Sequence, residues 1–220
     1  MRKIARHCVE ETEGLFLTIS EDDLGYKAKF VESCLAAGIN AEIIDPKEAL
    51  RMEPSANPDI IGAVKVPDGA VDPFRLTSAN VIDAKLHGAK VLVYSEVTNL
   101  IKDGDTVKGV EVFNHITKQT AQYYAPITVN AGGIWGQHIA ELAGVKITLF
   151  PATGARLIFG HRVNNVVLNR CRKPANADIL VPGDTICLIG TTSSRIPFEE
   201  CDNMFVTPDE VDVLLQEGEK

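Results

Sequence analysis

A turn rich in small residues lies near the middle of the chain, between a strand-like segment and a helical segment. The apolar run 125–129 (APITV) predicts a strand, residues 130–136 (NAGGIWG) a turn, and residues 137–143 a helix. Small residues at a strand-to-helix turn let a ligand approach the backbone, and free N–H groups at a helix start favour negative charge. This combination indicates a site that contacts a nucleotide.

The turn does not match the standard dinucleotide-binding motif. That motif, G-x-G-x-x-G, opens a βαβ unit, and an acidic residue about 20 positions further on binds the ribose. Here Ala131 replaces the first glycine, ahead of Gly133 and Gly136, and residues 148–159 contain no carboxylate. We therefore do not expect a self-sufficient NAD site. A turn that only packs a helix on a sheet remains the alternative.

The cysteine, histidine and basic residues offer few further candidates. The five cysteines have no C-x-x-C or Cys/His spacing typical of zinc, so we expect reduced cytosolic thiols and no metal site. Cys171 lies between arginines, which favour a reactive thiolate, although an inert packed thiol is the alternative. His7, His87, His115 and His138 lie in helix or turn contexts with no acid expected to pair with them as a catalytic base, so none is assigned as catalytic. The catalytic base stays unknown.

A basic cluster stands out in an otherwise acidic chain. It could attract a phosphate-bearing ligand, or it could be a solvated loop face. Its members are His161, Arg162, Arg170, Arg172 and Lys173.

Composition excludes some classes of protein. The 220 residues are 45% hydrophobic and 24% charged, which is typical of a globular domain with a substantial core. The net charge of -8 argues against nonspecific nucleic-acid binding. No apolar run approaches the ~20 residues that span a bilayer.

Helix signals occur along the whole chain. We predict a helix at 2–9 without an N-cap, one capped by Ser20, and one after the Asp45-Pro46 start signal. A helix at 74–87 follows Asp72-Pro73, and Thr207-Pro208-Asp209-Glu210 is a capping box that starts the last helix. The uncapped first helix and the short last one lead us to expect a fragment of a longer protein.

Strand signals fill the rest of the chain, and three of them form a predicted antiparallel meander at 96–101, 107–113 and 119–125. The segments after the glycine-rich turn suggest a mixed or antiparallel sheet. The other predicted strands are 14–19, 39–44, 60–66, 90–93, 147–150, 155–159, 166–169, 179–181 and 186–189.

Several longer segments resemble the FAD-carrying large (A) subunits of anaerobic glycerol-3-phosphate dehydrogenases, within the D-amino-acid-oxidase-like flavoprotein group. The resemblance covers essentially the whole chain. The segments are 6–10 (RHCVE), 62–69 (GAVKVPDG), 71–76 (VDPFRL), 129–141 (VNAGGIWGQHIAE), 169–174 (NRCRKP), 177–185 (ADILVPGDT) and 190–192 (GTT).

The resemblance implies an α/β to α+β fold. It would combine a partial FAD-binding, glutathione-reductase-like domain that carries the β-meander with an antiparallel-sheet substrate domain. The implied organisation is a partial FAD-binding domain with interleaved substrate-domain segments over residues 1–145, a substrate-binding sheet over 146–206, and a truncated helix over 207–220. The family's N-terminal FAD fingerprint and a later arginine-bearing segment are not found here.

The resemblance also implies a cofactor site. It places the Val97 backbone beside the adenine of FAD. Ala131, Gly132 and Gly133 would lie near the pyrophosphate and ribityl groups, with Trp135 packing the turn. Val97 as an ordinary strand residue and Trp135 as a core residue are the alternatives.

The resemblance implies a substrate site on the strand at 151–159 and the turn at 190–192. Arg156 is the candidate for binding a phosphate or carboxylate, because a guanidinium is a planar, permanently charged donor. Thr191 and Thr192 would lie beside it. Since strand residues alternate, Arg156 pointing to solvent is the alternative.

The implied activity of the parent protein is oxidation of sn-glycerol 3-phosphate to dihydroxyacetone phosphate, with hydride transfer to FAD and electrons passed to quinone. Membrane-anchoring and electron-transfer subunits would be its partners, and the protein would be cytoplasmic and peripheral at the inner membrane. The fragment alone is expected to be inactive and to lack FAD. Alternatives are a flavin enzyme for an amino acid or 2-hydroxy acid, and a subunit-docking scaffold.

Overall fold

The computed structural model describes residues 5–220, and the chain divides into two units. Unit 1 consists of Met1–Ala84, Ala152–Ser194 and Met204–Lys220, and unit 2 of Lys85–Pro151 and Arg195–Asn203. Each unit is therefore assembled from segments that are distant in sequence. The functional division at residues 145 and 206 stays a prediction.

Unit 1 is organised around a seven-stranded sheet with the order β10-β13-β12-β11-β2-β4-β3. Neighbouring strands are antiparallel except for β11 and β2, which are parallel. The predicted mixed sheet is confirmed. The strands are β2 (Gly14–Thr18), β3 (Glu42–Ile44), β4 (Gly62–Val66), β10 (Arg156–Phe159), β11 (Val167–Arg170), β12 (Ile179–Gly183) and β13 (Ile186–Gly190).

In the part of the chain that the structure describes, four short strands lie outside the seven-stranded sheet and outside the meander of unit 2. Strands β1 (Val9–Glu10) and β5 (Ala70–Val71) form an antiparallel pair. The remaining short strands are β9 (Ala152–Thr153) and β14 (Ser194–Arg195).

Helices pack on both faces of the unit 1 sheet. Leu15 and Leu168 form one core with Ala49 of α2, and Leu214 of α5 is fully buried in a second core with Ile189. On the opposite face, Phe16 packs on α1. The helices are α1 (Tyr26–Ala36), α2 (Pro46–Met52), α3 (Pro73–Leu86), α4 (Gly136–Leu142) and α5 (Pro208–Gly218), with 3₁₀ helices at Arg6–Cys8, Gly133–Trp135 and Phe198–Glu200.

Unit 2 contains the meander, which is confirmed: β6 (Ser95–Asp103), β7 (Thr106–Asn114) and β8 (Thr120–Tyr124) form a three-stranded antiparallel sheet. Gly109 allows β7 and β8 to approach closely, because a Cβ there would lie 2.1 Å from the Tyr123 carbonyl oxygen. Helix α4 packs against β6.

Three of the helix starts that were predicted from capping residues are confirmed, at Asp45, Asp72 and Thr207. The Asp45 side chain accepts a hydrogen bond from the Lys47 N–H, and Asp72 accepts from the N–H of Phe74. Thr207 and Glu210 form the predicted capping box of α5. Each cap satisfies helix N–H groups that have no partner within the helix.

The helix predicted at 2–9 is wrong, and so is the Ser20 cap, although the helix expected after Ser20 is present as α1. The backbone of Val9 and Glu10 pairs with β5, so within the described part of residues 2–9 the structure has a short 3₁₀ helix and a strand; residues 2–4 lie outside the described residues. Ser20 does not cap a helix, because α1 begins at Tyr26. Asp22 instead accepts a hydrogen bond from the Ile19 N–H and stabilises a turn.

Three strand predictions, at 90–93, 125–129 and 147–150, are also wrong, because no described residue forms a ladder with these segments. Their apolar residues gave the signal, yet Val93, Ile127, Val129 and Phe150 are between 66% and 80% exposed. After β8, only the Ala125 N–H continues the pairing, to Lys108, and Pro126 has no N–H to donate. The turn at 130–136 is therefore not preceded by a strand.

Candidate functional site

One face of the unit 1 sheet is covered by α1 at one end and accessible at the other. Phe16 on this face packs on Phe30 of α1, with ring centroids 4.4 Å apart. Directly opposed residues of neighbouring strands share a face. The paired residues of β11, β12 and β13 connect Phe16 with Arg156 of β10, so these two residues lie on the same face of the sheet. Arg156 is exposed.

The alternation along β10 decides which way Arg156 points. Leu157 and Phe159 pack against the core that contains Leu214, so Arg156 and Ile158 lie on the opposite face. Ile158 is 65% exposed. This end of the sheet therefore presents a cation beside apolar side chains, a combination that suits an anionic organic ligand.

Gly190 makes room for the Arg156 side chain. The two residues are directly paired, and a Cβ on Gly190 would lie 2.9 Å from Arg156 Cγ. Arg156 forms no ion pair with any residue in the described range 5–220. Its guanidinium is thus available for an external carboxylate or phosphate.

Thr192 lies next to this strand but its hydroxyl already has two protein partners. The Thr192 Oγ1 accepts a hydrogen bond from the Ala155 N–H at 2.8 Å and donates one to Glu210 Oε1 at 2.7 Å. Thr192 is 3% exposed. Thr191 is half-buried, and its carbonyl accepts from the Ala177 N–H. The structure therefore brings the three predicted substrate residues together; their contact with substrate stays a prediction.

The glycine-rich turn lies in unit 2 and is held by Asn130. The Asn130 side chain accepts a hydrogen bond from the Gly132 N–H and donates one to the Gly136 carbonyl. Gly133 has φ +58, and a Cβ there would meet nothing within 4 Å. Ala131 and Gly133 are exposed. One side of the turn is therefore open to a ligand.

Two further predicted cofactor residues lie in unit 2. Val97 is partly buried on β6 next to a bulge in the pairing with β7, and α4 packs on the same strand. Trp135 is 48% exposed, and its indole N–H donates to Asp202 Oδ1 at 3.2 Å. Trp135 is thus only partly packed. The roles of Val97 and Trp135 in binding FAD stay predictions.

The basic cluster is mostly neutralised by ion pairs. Arg170 pairs with Glu21 and Asp22, and Arg172 pairs with Asp178 and Glu217. Arg162 pairs with Glu10 at 2.7 Å. A cluster whose cations are matched in this way is a poor attractor for a phosphate. The arginines instead hold segments of unit 1 together.

Cys171 does not have the properties of a reactive thiol. Its side chain is fully buried, and burial raises the pKa of the thiol. The neighbouring arginines suggested a reactive thiolate, whereas the structure agrees with the alternative of a packed thiol. Both arginines are engaged with carboxylates.

Sequence reasoning missed two acidic residues. Glu53 is 1% exposed, and its carboxylate accepts hydrogen bonds from the N–H groups of Asn165 and Val166 and from the Ser55 hydroxyl. His115 Nε2 lies 2.7 Å from Glu96 Oε2, an acid that the local sequence did not reveal. The contact between Asn165 and Glu53 spans 112 positions and that between His115 and Glu96 spans 19, so no local signal predicted either one.

Within residues 5–220, no helix has both the length and the apolar character that crossing a bilayer requires.

A family model described as FAD dependent oxidoreductase (DAO) matches residues 1–220. The chain belongs to this family of flavin-dependent oxidoreductases. The predicted family and fold class are thereby confirmed.

Among curated proteins, the A subunit of the anaerobic glycerol-3-phosphate dehydrogenase of Haemophilus influenzae is 62% identical over 220 residues, which are 100% of this chain and 39% of that protein. The corresponding A subunit of Escherichia coli K12 is 61% identical over the same length and is covered to 41%. The chain thus spans about two fifths of the curated relatives it matches.

Among solved structures, the glycerol-3-phosphate dehydrogenase from Bacillus halodurans complexed with FAD has a TM-score of 0.75 at 21% identity, covering 99% of this chain and 41% of that one. This likeness establishes a shared fold.

Proposed function

We propose that the whole protein containing this chain is a FAD-dependent dehydrogenase that oxidises sn-glycerol 3-phosphate to dihydroxyacetone phosphate. The observation that carries this proposal is the 62% identity, over all 220 residues, to a protein named for that dehydrogenase activity. The position of Arg156 on the accessible face of the sheet supports it, because the substrate has a phosphate to be bound.

Arg156 is the proposed phosphate-binding residue. Its guanidinium has no competing carboxylate within the described range, and a phosphate accepts two parallel hydrogen bonds from a guanidinium. Ile158 on the same face would contact the C–H groups of the substrate and exclude water. Thr191, at the turn beside Arg156, is the proposed polar contact for the remaining substrate oxygens.

The residues of the glycine-rich turn fit the proposed cofactor. The open side of the turn at Gly133 leaves space where a side chain would otherwise stand. Ala131, Gly132 and Gly133 would contact FAD, with Val97 and Trp135 as further contacts. When bound, FAD supplies the electron acceptor for the oxidation. The protein residues would orient the substrate and keep water away.

We further propose that the whole protein passes electrons to quinone through partner subunits, which would hold it at the inner membrane. The subunit name of the relatives supports the existence of partners. A scaffold without catalysis is the competing function, and capture of the partner subunits by a protein that lacks FAD would favour it.

The 220-residue chain alone is proposed to be inactive and colourless. A noncovalent cofactor that makes only part of its contacts binds weakly. Titration of FAD into the purified chain, followed by flavin fluorescence, tests this point. Tight stoichiometric binding would contradict it.

The test of the activity uses the full-length protein with FAD under anaerobic conditions. Glycerol 3-phosphate should bleach the visible flavin absorbance, and glycerol with inorganic phosphate should not. Bleaching by an amino acid or a 2-hydroxy acid, with no response to glycerol 3-phosphate, would overturn the substrate assignment in favour of a related flavin enzyme.

A further inference from the structure

A chain of hydrogen bonds links helix α5 to the start of strand β10. Ala155 donates its N–H to the Thr192 hydroxyl, which in turn donates to Glu210 Oε1. The Thr192 N–H also donates to the Ala155 carbonyl at 3.3 Å. Ala155 directly precedes Arg156, so this series of hydrogen bonds ends one residue from the proposed phosphate-binding side chain.

Glu210 is held in place at the other end of this series of hydrogen bonds. Its second oxygen, Oε2, accepts a hydrogen bond from the Thr207 N–H at 3.0 Å within the capping box. The Thr207 N–H and then the Thr192 hydroxyl lower the pKa of Glu210 and keep the carboxylate ionised. Helix α5 is itself anchored, because Leu214 is fully buried.

Among the described residues, strand β10 has β13 as its hydrogen-bonded neighbour. The backbone just before β10 lies close to Thr192, since a Cβ on Gly154 would be 2.5 Å from the Thr192 carbonyl oxygen. Thr192 therefore contacts the chain at Gly154 and Ala155, immediately before Arg156.

We propose that Thr192 and Glu210 are positioning residues, which hold Ala155 and thereby place Arg156 for the substrate phosphate. This inference rests on the proposed function and refines it. Thr192 would act through its two protein contacts and would not touch the substrate. A misplaced binding group loses affinity even when its own chemistry is unchanged.

The first test is steady-state kinetics of the full-length protein with glycerol 3-phosphate. Thr192→Val keeps the side-chain shape but removes the hydroxyl. KM should rise about tenfold, which corresponds to the loss of one hydrogen bond between the misplaced guanidinium and the phosphate. The kcat should change much less, because the loss is one of binding. Thr192→Ser keeps the hydroxyl and should restore KM.

Thr18→Val is the matched control. Thr18 is 1% exposed, and its hydroxyl makes no hydrogen bond to nitrogen or oxygen within the described residues. This substitution removes a buried hydroxyl from the same unit and should leave KM unchanged. An equal rise in KM for both valine variants would indicate general loosening of the unit and overturn the proposal.

A double-mutant cycle with Arg156→Lys identifies the residue through which Thr192 acts. If Thr192 positions Arg156, Thr192→Val should raise KM strongly in the wild-type background and only slightly in the Arg156→Lys background. Fully additive effects would overturn the positioning role. An unchanged KM in Thr192→Val alone would do the same.

Hydrogen exchange in the 220-residue chain provides a readout that does not depend on activity. Thr192→Val should speed exchange of the Ala155 amide, and Thr18→Val should not. Unchanged Ala155 exchange overturns the positioning role whatever the substrate is. The two failures can be told apart. If Ala155 exchange is faster but glycerol 3-phosphate does not bleach the flavin of the full-length protein, the positioning role stands and the proposed function is wrong.

Discussion

Arg170 and Asp22 form a buried ion pair, with Arg170 Nη2 2.7 Å from Asp22 Oδ1 and the two side chains 7% and 2% exposed. The pair joins the end of β11 to the turn before α1. Removing one member of a buried pair leaves an uncompensated charge. We therefore expect Arg170→Met to lower the free energy of unfolding by about 3–5 kcal/mol in urea denaturation.

Arg75→Met is the control for this prediction. Arg75 pairs with Asp72 and Asp184, but its side chain is 55% exposed. Exposed pairs contribute about 0–1 kcal/mol, so this variant should unfold close to the wild type. Equal losses for the two variants would show that burial does not determine the strength of the Arg170 pair.

The stability of the fold should also depend on the charge of Glu53, although less than on that of Arg170. Its carboxylate accepts hydrogen bonds from the backbone before β11, and an amide at this position would direct two donors toward N–H groups. We expect Glu53→Gln to lower the free energy of unfolding by about 1–3 kcal/mol. Exposed Glu48 is the comparison, and Glu48→Gln should have little effect; a similar cost at both positions contradicts the prediction.

These two contacts show what the sequence did not reveal. Arg170 and Asp22 are separated by 148 positions and Glu53 and Asn165 by 112, so their pairing follows from the sheet order. The helix starts at Asp45 and Thr207 were predictable, because a cap and the N–H groups that it satisfies lie within three residues.

The wrong strand predictions have the same cause, because they too depended on partners distant in sequence. An apolar run such as 125–129 predicts burial, but a strand needs a partner whose position the run does not encode. The meander was predictable because its partners follow at short turns. For the candidate site, the sequence indicated that Arg156 could bind an anion. It did not indicate that the Thr192 hydroxyl donates a hydrogen bond to Glu210.

Stability should fall in acid partly through Glu217. Burial alone would raise the pKa of Glu217, but hydrogen bonds and charges from Lys220 and Arg172 lower it below the ordinary value of 4.5. The ionised carboxylate therefore stabilises the fold above pH 4.5, and this contribution is lost as the pH falls through the lowered pKa.

The measurement is the urea midpoint of the 220-residue chain from neutral pH to below pH 4.5. Glu217→Gln should be less stable than the wild type at neutral pH, and the difference should shrink on acidification. Glu219→Gln changes an exposed residue that has no ion pair in the described range, so its difference from the wild type should stay constant. A constant difference for Glu217→Gln would contradict the prediction.

The open side of the glycine-rich turn gives the sharpest test of the proposed cofactor contact. Gly133 has φ +58, and a Cβ there would meet no protein atom within 4 Å. Gly133→Ala should therefore cost only backbone strain, about 1–2 kcal/mol. In the full-length protein the new methyl group would also occupy space proposed for FAD, so the flavin content of the purified variant should drop.

Gly144→Ala separates strain from cofactor loss. Gly144 has φ +78 and likewise has nothing within 4 Å of a Cβ, but it follows α4 at the end away from the turn. Both variants should therefore lose similar free energy of unfolding, and only Gly133→Ala should lose flavin. If the flavin-to-protein absorbance ratio falls equally in both, strain explains the loss and the turn does not contact FAD.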